Sequence, residues 1–203
     1  MVNEKVNVRD KHRGLKKVIK IIIIIGVILI ILAAVFVFGF LLKKPARIEV
    51  ILANPVEGII LANTNELGET DEMAVIQEAV IKFDEEYVNY LLVAIGTGYL
   101  HKSILGGDPV IELVLGDEAW ASEIVEGTPF SEKGEAENED LKISLSKEEA
   151  VKAILSSDVE KFMKDSVNNG DTKIEMIAGK TELFAKGYLD LYKAITGEEI
   201  AVE

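Results

Sequence analysis

The sequence predicts an α+β protein carried behind a single N-terminal transmembrane helix. Three observations lead there. An uncharged apolar run stands near the start. The remaining chain switches its apolar spacing from three-four to two and back again. Mean hydropathy is positive although 35 Asp and Glu outnumber 22 Lys and Arg, for a net charge of -13. A uniform globular chain of 203 residues does not combine those last two properties, so the apolar residues must be segregated.

They are concentrated in residues 21–42, which carry no charge and are almost entirely Ile, Leu, Val, Phe and Ala. A helix of that length reaches about 33 Å, against about 30 Å of bilayer hydrocarbon. β-branched residues such as Ile21–Ile25 form helices poorly in water, but in lipid an unpaired backbone costs more than propensity can recover. The run is too long for a cleaved leader and no small-x-small site follows it, so an uncleaved signal anchor is expected. Lys5, Arg9, Lys11, Arg13, Lys16, Lys17 and Lys20 precede it, and only Lys43, Lys44 and Arg47 follow closely. This bias predicts a cytoplasmic basic arm (1–20) and an extracytoplasmic C-terminal body in a cell membrane. Residues 1–42 carry net +5 and residues 43–203 carry net -18. So negative a body repels nucleic acid, which is excluded as a partner, whereas the bilayer is an expected one.

Residues 43–70 read as a stalk or short strands, with apolar runs at 47–53 and 58–62 split by Asn54-Pro55 and Gly58. The α+β domain is expected over 71–203. Asp71 offers an N-cap, and Met73, Ile76, Val80, Phe83, Tyr87, Leu91 and Ala94 then repeat at helical spacing, predicting one helix over 71–95 closed by Gly96. Past Gly106-Gly107 the period becomes two. Val110–Leu115 and Ala119–Val125 read as a hairpin about Gly116-Asp117. Residues 131–140, with five acids and one lysine, read as an exposed loop, and Leu141, Ile143 and Leu145 as a third strand. Ser146 with Glu149 and Ser157 with Glu160 form two capping boxes, each opening a helix, the second stopped at Asn169-Gly170. A strand over 172–177 and a helix over 181–195, ended by Gly197, complete the chain.

The candidate chemistry is thin. The absence of cysteine excludes disulfides, thiolate metal sites and thiol catalysis. His101, the one histidine of the body, has no triad or zinc-ligand partners at motif spacing, and reads as a helix-end group. Gly96-Thr97-Gly98 and Gly106-Gly107 follow a helix and precede a strand, the reverse of a phosphate loop. No catalytic residue, metal or cofactor is expected, and the chain reads as a non-enzyme. The aromatic and apolar set Trp120, Phe130, Phe162, Met163, Phe184, Tyr188 and Tyr192 reads either as ordinary core or as the wall of an apolar cavity.

The segment Asp140-Leu-Lys-Ile-Ser-Leu-Ser-Lys-Glu-Glu-Ala-Val leads into a helix. A second helix with Phe162 follows, then Gly170, the strand Lys173-Ile-Glu-Met-Ile, Gly179 and a Leu-rich closing helix. This order resembles the sterol carrier protein type 2 family over residues 109–196, with helix 71–95 in the place of the family's first helix. The resemblance implies about five mainly antiparallel strands with helices packed on one face, enclosing a tunnel for a lipid or acyl ligand. It places Trp120, Phe162, Phe184 and Tyr188 along that tunnel as ligand-binding positions. The expected function is therefore that of a membrane-anchored protein whose acidic body binds a lipid or other apolar ligand near the membrane. The alternative is a tethered interaction or scaffold module with a filled core and no ligand.

Overall fold

The computed structural model describes residues 25–32, 35, 47–103 and 106–198, and the chain divides into two compact units after Pro45. In the first unit residues 25–32 and 35 are helical. The rest of the expected 21–42 span, the basic arm and residues 43–46 lie outside the described residues. Among the described residues no helix is long and apolar enough to cross a membrane.

In the second unit, residues 47–54 take no regular structure, and Glu57–Ala62 forms a helix (α1) where a strand was expected. The Asn54 side chain accepts the Val56 N–H at 3.0 Å, and the turn about Pro55 hands the chain into the helical region. The entering chain is seated on the body. Ile48 donates its N–H to the Gly98 carbonyl at 2.9 Å, and a Cβ on Gly98 would strike the Ile48 carbonyl oxygen. Arg47 lies 4.6 Å above the Tyr99 ring and pairs with Glu160 at 3.4 Å.

The helix expected over 71–95 is two helices, α2 (Glu72–Lys82) and α3 (Glu85–Ile95). Asp71 caps the first by accepting the Ala74 N–H. Asp84 caps the second by accepting the Glu86 N–H, and Phe83 between them is extended. An aspartate bonds so readily to the amides that follow it that it opens a new helix within an unbroken apolar stripe. Phe83 and Tyr87 keep the stripe continuous, with ring centroids 5.0 Å apart. Gly96 ends α3 in the left-handed conformation, and the turn Thr97–Tyr99 follows.

Five strands form one mixed sheet: β1 (Val110–Leu115), β2 (Glu118–Val125), β3 (Thr128–Lys133), β4 (Leu141–Leu145) and β5 (Lys173–Met176), in the order β3-β2-β1-β4-β5. Only β1 and β4 are parallel. Two-residue turns link β1 to β2 at Gly116-Asp117 and β2 to β3 at Glu126-Gly127. At the second turn both residues have positive φ, as the twist of a tight hairpin requires. β3 takes three residues from the expected 131–140 loop. Its inward row is Pro129 and Ser131, so no apolar alternation marks it. Instead the Ser131 hydroxyl donates to Asn89 on α3 and meets the Ser122 hydroxyl, each at 2.7 Å.

The helices cover one face of the sheet. Ile111, Leu113, Leu115, Trp120, Ile124, Leu141, Ile143 and Leu145 point into a single core with α1 to α3 and the four C-terminal helices. Those four are α4 (Lys147–Leu155), α5 (Val159–Asn169), α6 (Lys180–Lys186) and α7 (Tyr188–Thr196). Ser146 caps α4 as expected, accepting the Glu149 N–H at 3.0 Å. The cap of α5 is Asp158, which accepts the Lys161 N–H; the expected Ser157–Glu160 box is displaced by one residue. The single helix expected over 181–195 breaks at Gly187 (φ 87°), where a Cβ would collide with the Tyr99 carbonyl.

One buried cluster ties these layers together. The Asp140 carboxylate accepts from the Lys186 ammonium at 2.7 and 3.0 Å and from the Val110 N–H at 2.8 Å. The Tyr188 hydroxyl lies 3.1 Å from the same carboxylate and 3.0 Å from the Val110 carbonyl. The side chains of Lys186 and Asp140 are only 4% and 3% exposed. Asp140→Ala would strand a buried ammonium, and is expected to destabilise the body by about 3–5 kcal/mol in urea unfolding of the full chain. Desolvation opposes the Lys186 charge, but hydrogen bonds to Asp140 and Glu182 outweigh it and leave its pKa raised. Desolvation and the Asp140 charge also push Tyr188 well upward. Raised folded pKa values hold the proton more tightly in the native state. Stability from this cluster is thus full below about pH 10 and declines as pH rises through the folded values, measurable as alkaline unfolding.

Candidate functional site

Of the four aromatic positions expected along a tunnel, Trp120 and Tyr188 belong to the core, Phe162 packs against it and Phe184 is exposed. Trp120 sits on the helix-covered face of β2, beside Leu113 of β1, and is 7% exposed. Tyr188 is 1% exposed, and its hydroxyl is committed to the Asp140 cluster. Phe162 on α5 is half-buried against the core, and Phe184 on α6 is 62% exposed. One detail of this set is unsatisfied: the Trp120 indole Nε1 is buried and has no hydrogen-bond partner.

One cleft opens on the sheet face opposite the helices and reaches Glu85 at the start of α3. It has a volume of about 610 Å³ and lies between β1–β3 and the loop over 134–139. Neither it nor a smaller cleft, about 360 Å³ at the Ile48 seat, is lined by any of the four aromatic positions. The alternation of strands with one wet face builds its floor. Register places Phe130, Glu123 and Val110 in one row across β3, β2 and β1, and Glu132, Ala121 and Glu112 in the next. Apolar and acidic positions thus alternate both along the strands and across them. Glu85, Glu135 and Glu137 stand at the rim.

Charge in this cleft is uncompensated. Lys133 is held by Glu118 at 3.0 Å, Lys142 by Glu112 at 2.5 Å and Lys173 by Glu175 at 2.8 Å. Lys102, which feels the Glu123 charge, is bound to Asp108 at 2.7 Å. Among the described residues, the carboxylates of Glu123, Glu132, Glu135 and Glu137 form no ion pair and accept no hydrogen bond. Carboxylates this open to water favour cationic groups, and the exposed ring of Phe130 favours something apolar beside them. The described residues include no group of three His, Cys, Asp or Glu able to hold a metal ion. His101 is structural: its N–H donates to the Lys186 carbonyl and its ring packs at Gly187.

Sequence reasoning missed Glu123 and Glu132 as neighbours, because β3 was not expected as a strand and their register across the hairpin could not be read. It also missed Glu112, which looks like one polar position among many. Glu112 is buried and holds the loop down by accepting the Ala136 N–H at 2.9 Å. Burial raises its pKa, but the hydrogen bonds from Lys142 and Ala136 more than offset this, and the net shift is downward. A lowered folded pKa means that this latch is complete above about pH 4.3 and is lost as pH falls through the folded value. The Ala136 amide resonance is expected to titrate below that pH in the native chain and to stop titrating in Glu112→Gln.

No family model matches the chain, and no curated protein matches it. Among solved structures, it is similar to a double mutant of the sec-alkyl sulfatase PisA1, with a TM-score of 0.33, 13% identity and coverage of 59% of this chain and 17% of that one. It is similar to the stereoselective inverting sec-alkylsulfatase Pisa1 from Pseudomonas sp. at TM-score 0.35 and 13% identity, over 59% of this chain and 16% of that one. The similarity to the UbiJ-SCP2 ubiquinone synthesis protein has a TM-score of 0.35 and 11% identity, over 60% of this chain and 97% of that one. The chain thus spans about a sixth of either sulfatase, 17% and 16%. At such scores and identities these likenesses carry no argument about activity, substrate or partner.

Proposed function

We propose that this chain is a single-pass membrane-anchored binding protein, not an enzyme, with its N-terminus in the cytoplasm and its acidic α+β body on the other side. The anchor reading is supported by the uncharged run over 21–42 and by the lysines and arginines ahead of it. The body acts as a tethered recognition module that engages its partner through the sheet face opposite the helices. The observation that carries this reading is the cleft on that face, with Phe130 exposed among carboxylates that have no counter-charge. The helix-covered side, by contrast, is packed as one continuous core.

A second reading, binding of a lipid or acyl ligand between sheet and helices, is favoured by the orphaned Trp120 N–H. A buried unsatisfied donor costs about 1–3 kcal/mol, and a ligand acceptor would remove that cost. The five-stranded, mainly antiparallel sheet with helices on one face also agrees with the family resemblance.

Trp120 is the single tryptophan of the chain, so its fluorescence separates the two readings. In the full chain held in detergent micelles, titration with a nitroxide-labelled stearate is expected to leave Trp120 emission unquenched. Saturable quenching that unlabelled oleate reverses would establish the second reading instead. The anchor has its own test. Carbonate washing is expected to leave the native chain in membranes and to release the Ile30→Lys, Ile31→Lys double variant, since each charge at mid-span costs about 3 kcal/mol. Release of the native chain would reject the anchor.

A further inference from the structure

We propose that the occupant of the open face is an extended basic segment of a partner protein, one in which lysine or arginine alternates with aliphatic residues at every second position, so that both kinds share one face of the strand. The inference rests on the open-face reading above and adds the chemistry of the partner. Three features of the cleft select it.

The first is charge complementarity. Glu123, Glu132, Glu135 and Glu137 face the cleft without counter-ions, while Lys133 and Lys142 nearby are already paired. Cations arriving from outside meet unneutralised carboxylates and displace no internal partner, so they gain the attraction without breaking an existing ion pair.

The second is the pattern of the floor. A simple polycation would need acid alone, and an acyl chain would need apolar surface alone. Here the Phe130–Glu123–Val110 row lies against Glu132 and Ala121, with the paired and buried Glu112 beyond them. Phe130 has Glu132 beside it along the strand and Glu123 across the pair, and Ala121 has Glu123 and Glu132 in the same relation. Neighbouring strands lie about 4.8 Å apart, and same-face positions along a strand about 6.7 Å apart. An extended peptide repeats its own same-face side chains at that second spacing, so mixed aliphatic and basic side chains match the floor as a helix or a bare charge does not.

The third is size. The cleft of about 610 Å³ falls in the range of enclosed recognition sites and accommodates several side chains rather than a single ion. Its outer wall, the 134–139 loop, is fixed to the sheet through Ala136 and Glu112, so the shape is set before the partner arrives.

The test uses the full chain in micelles of a neutral detergent and a fluorescein-labelled peptide of about twelve residues with the repeat Lys-Lys-Val-Val, which mixes both side chains on each face, read by anisotropy over a protein-free blank. Saturable binding that weakens as salt rises is expected. The combined Glu123→Gln, Glu132→Gln, Glu135→Gln and Glu137→Gln variant is expected to weaken it at least tenfold. Phe130→Ser, a change at an exposed position, is expected to weaken the Lys–Val peptide several-fold. It should leave a Lys–Ser peptide of equal charge unaffected, a distinction that general loss of folding would not produce. Zero-length carbodiimide coupling is expected to join peptide lysines to Glu123, Glu132, Glu135 or Glu137. Coupling confined to the acidic segment over 66–84, or binding indifferent to both variants, would overturn the proposal and the open-face reading together. No peptide binding, with calcium ions or phosphatidylcholine vesicles perturbing the same face, would overturn the peptide chemistry and leave that reading standing.

Discussion

The carboxylate of Asp140 is the constraint around which the body is organised. It stands at the point where β4 begins alongside the start of β1, and it receives the backbone of one and the ammonium of Lys186 from α6. The backbone of the same residue accepts the N–H groups of Ile177 and Ala178 beyond β5 and donates to the Val110 carbonyl. Three strands and the α6–α7 joint therefore meet at one residue. A lone charge there would be prohibitive, and so would a lone ammonium; together, with Tyr188 and Glu182 filling the remaining valences, they are tolerated. The parallel β1–β4 pair and the β4–β5 pair, the two non-local pairings of the sheet, are pinned at this end.

Much of the fold was legible in the sequence because its signals are local. Asp71 and Ser146 cap helices where they were expected to, and Gly96, Gly170 and Gly197 end them in the left-handed region. The alternation of Ile111, Leu113 and Leu115 was enough to place β1. Failures occurred where a local signal competed with a stronger one or with a distant group. Asp84 reopened a helix inside a continuous apolar stripe. Gly187 broke α6 from α7 because Tyr99, far away in sequence, needs the space. β3 was hidden because its inward row is a serine satisfied by Asn89 and Ser122, and no single-strand pattern announces a hydrogen bond across three elements.

The candidate site divides along the same line. Attention to aromatic residues led to Trp120, Phe162, Phe184 and Tyr188, which the fold distributes between core, ionic cluster and solvent. Attention to alternation would have led to the opposite side. Glu112, Glu123 and Glu132 are each the polar partner of an apolar neighbour, and in a strand that means they share one surface. Which of them is neutralised depends on which lysines are engaged, and that is a property of register. Lys142 pairs with Glu112 and Lys133 with Glu118, which leaves Glu123 and Glu132 without an ion pair among the described residues.

The seat of the entering chain has a mechanical corollary. Ile48 bonds to the carbonyl of Gly98 and packs against Gly127, and Arg47 is stacked on Tyr99. Any tension transmitted along the polypeptide from its N-terminal side is delivered to this junction before it can reach α1 or α2. The load is spread sideways into the β2–β3 turn and the turn that follows α3. The first helices are in this way relieved of strain, and the body is gripped by its sheet and not by its leading edge.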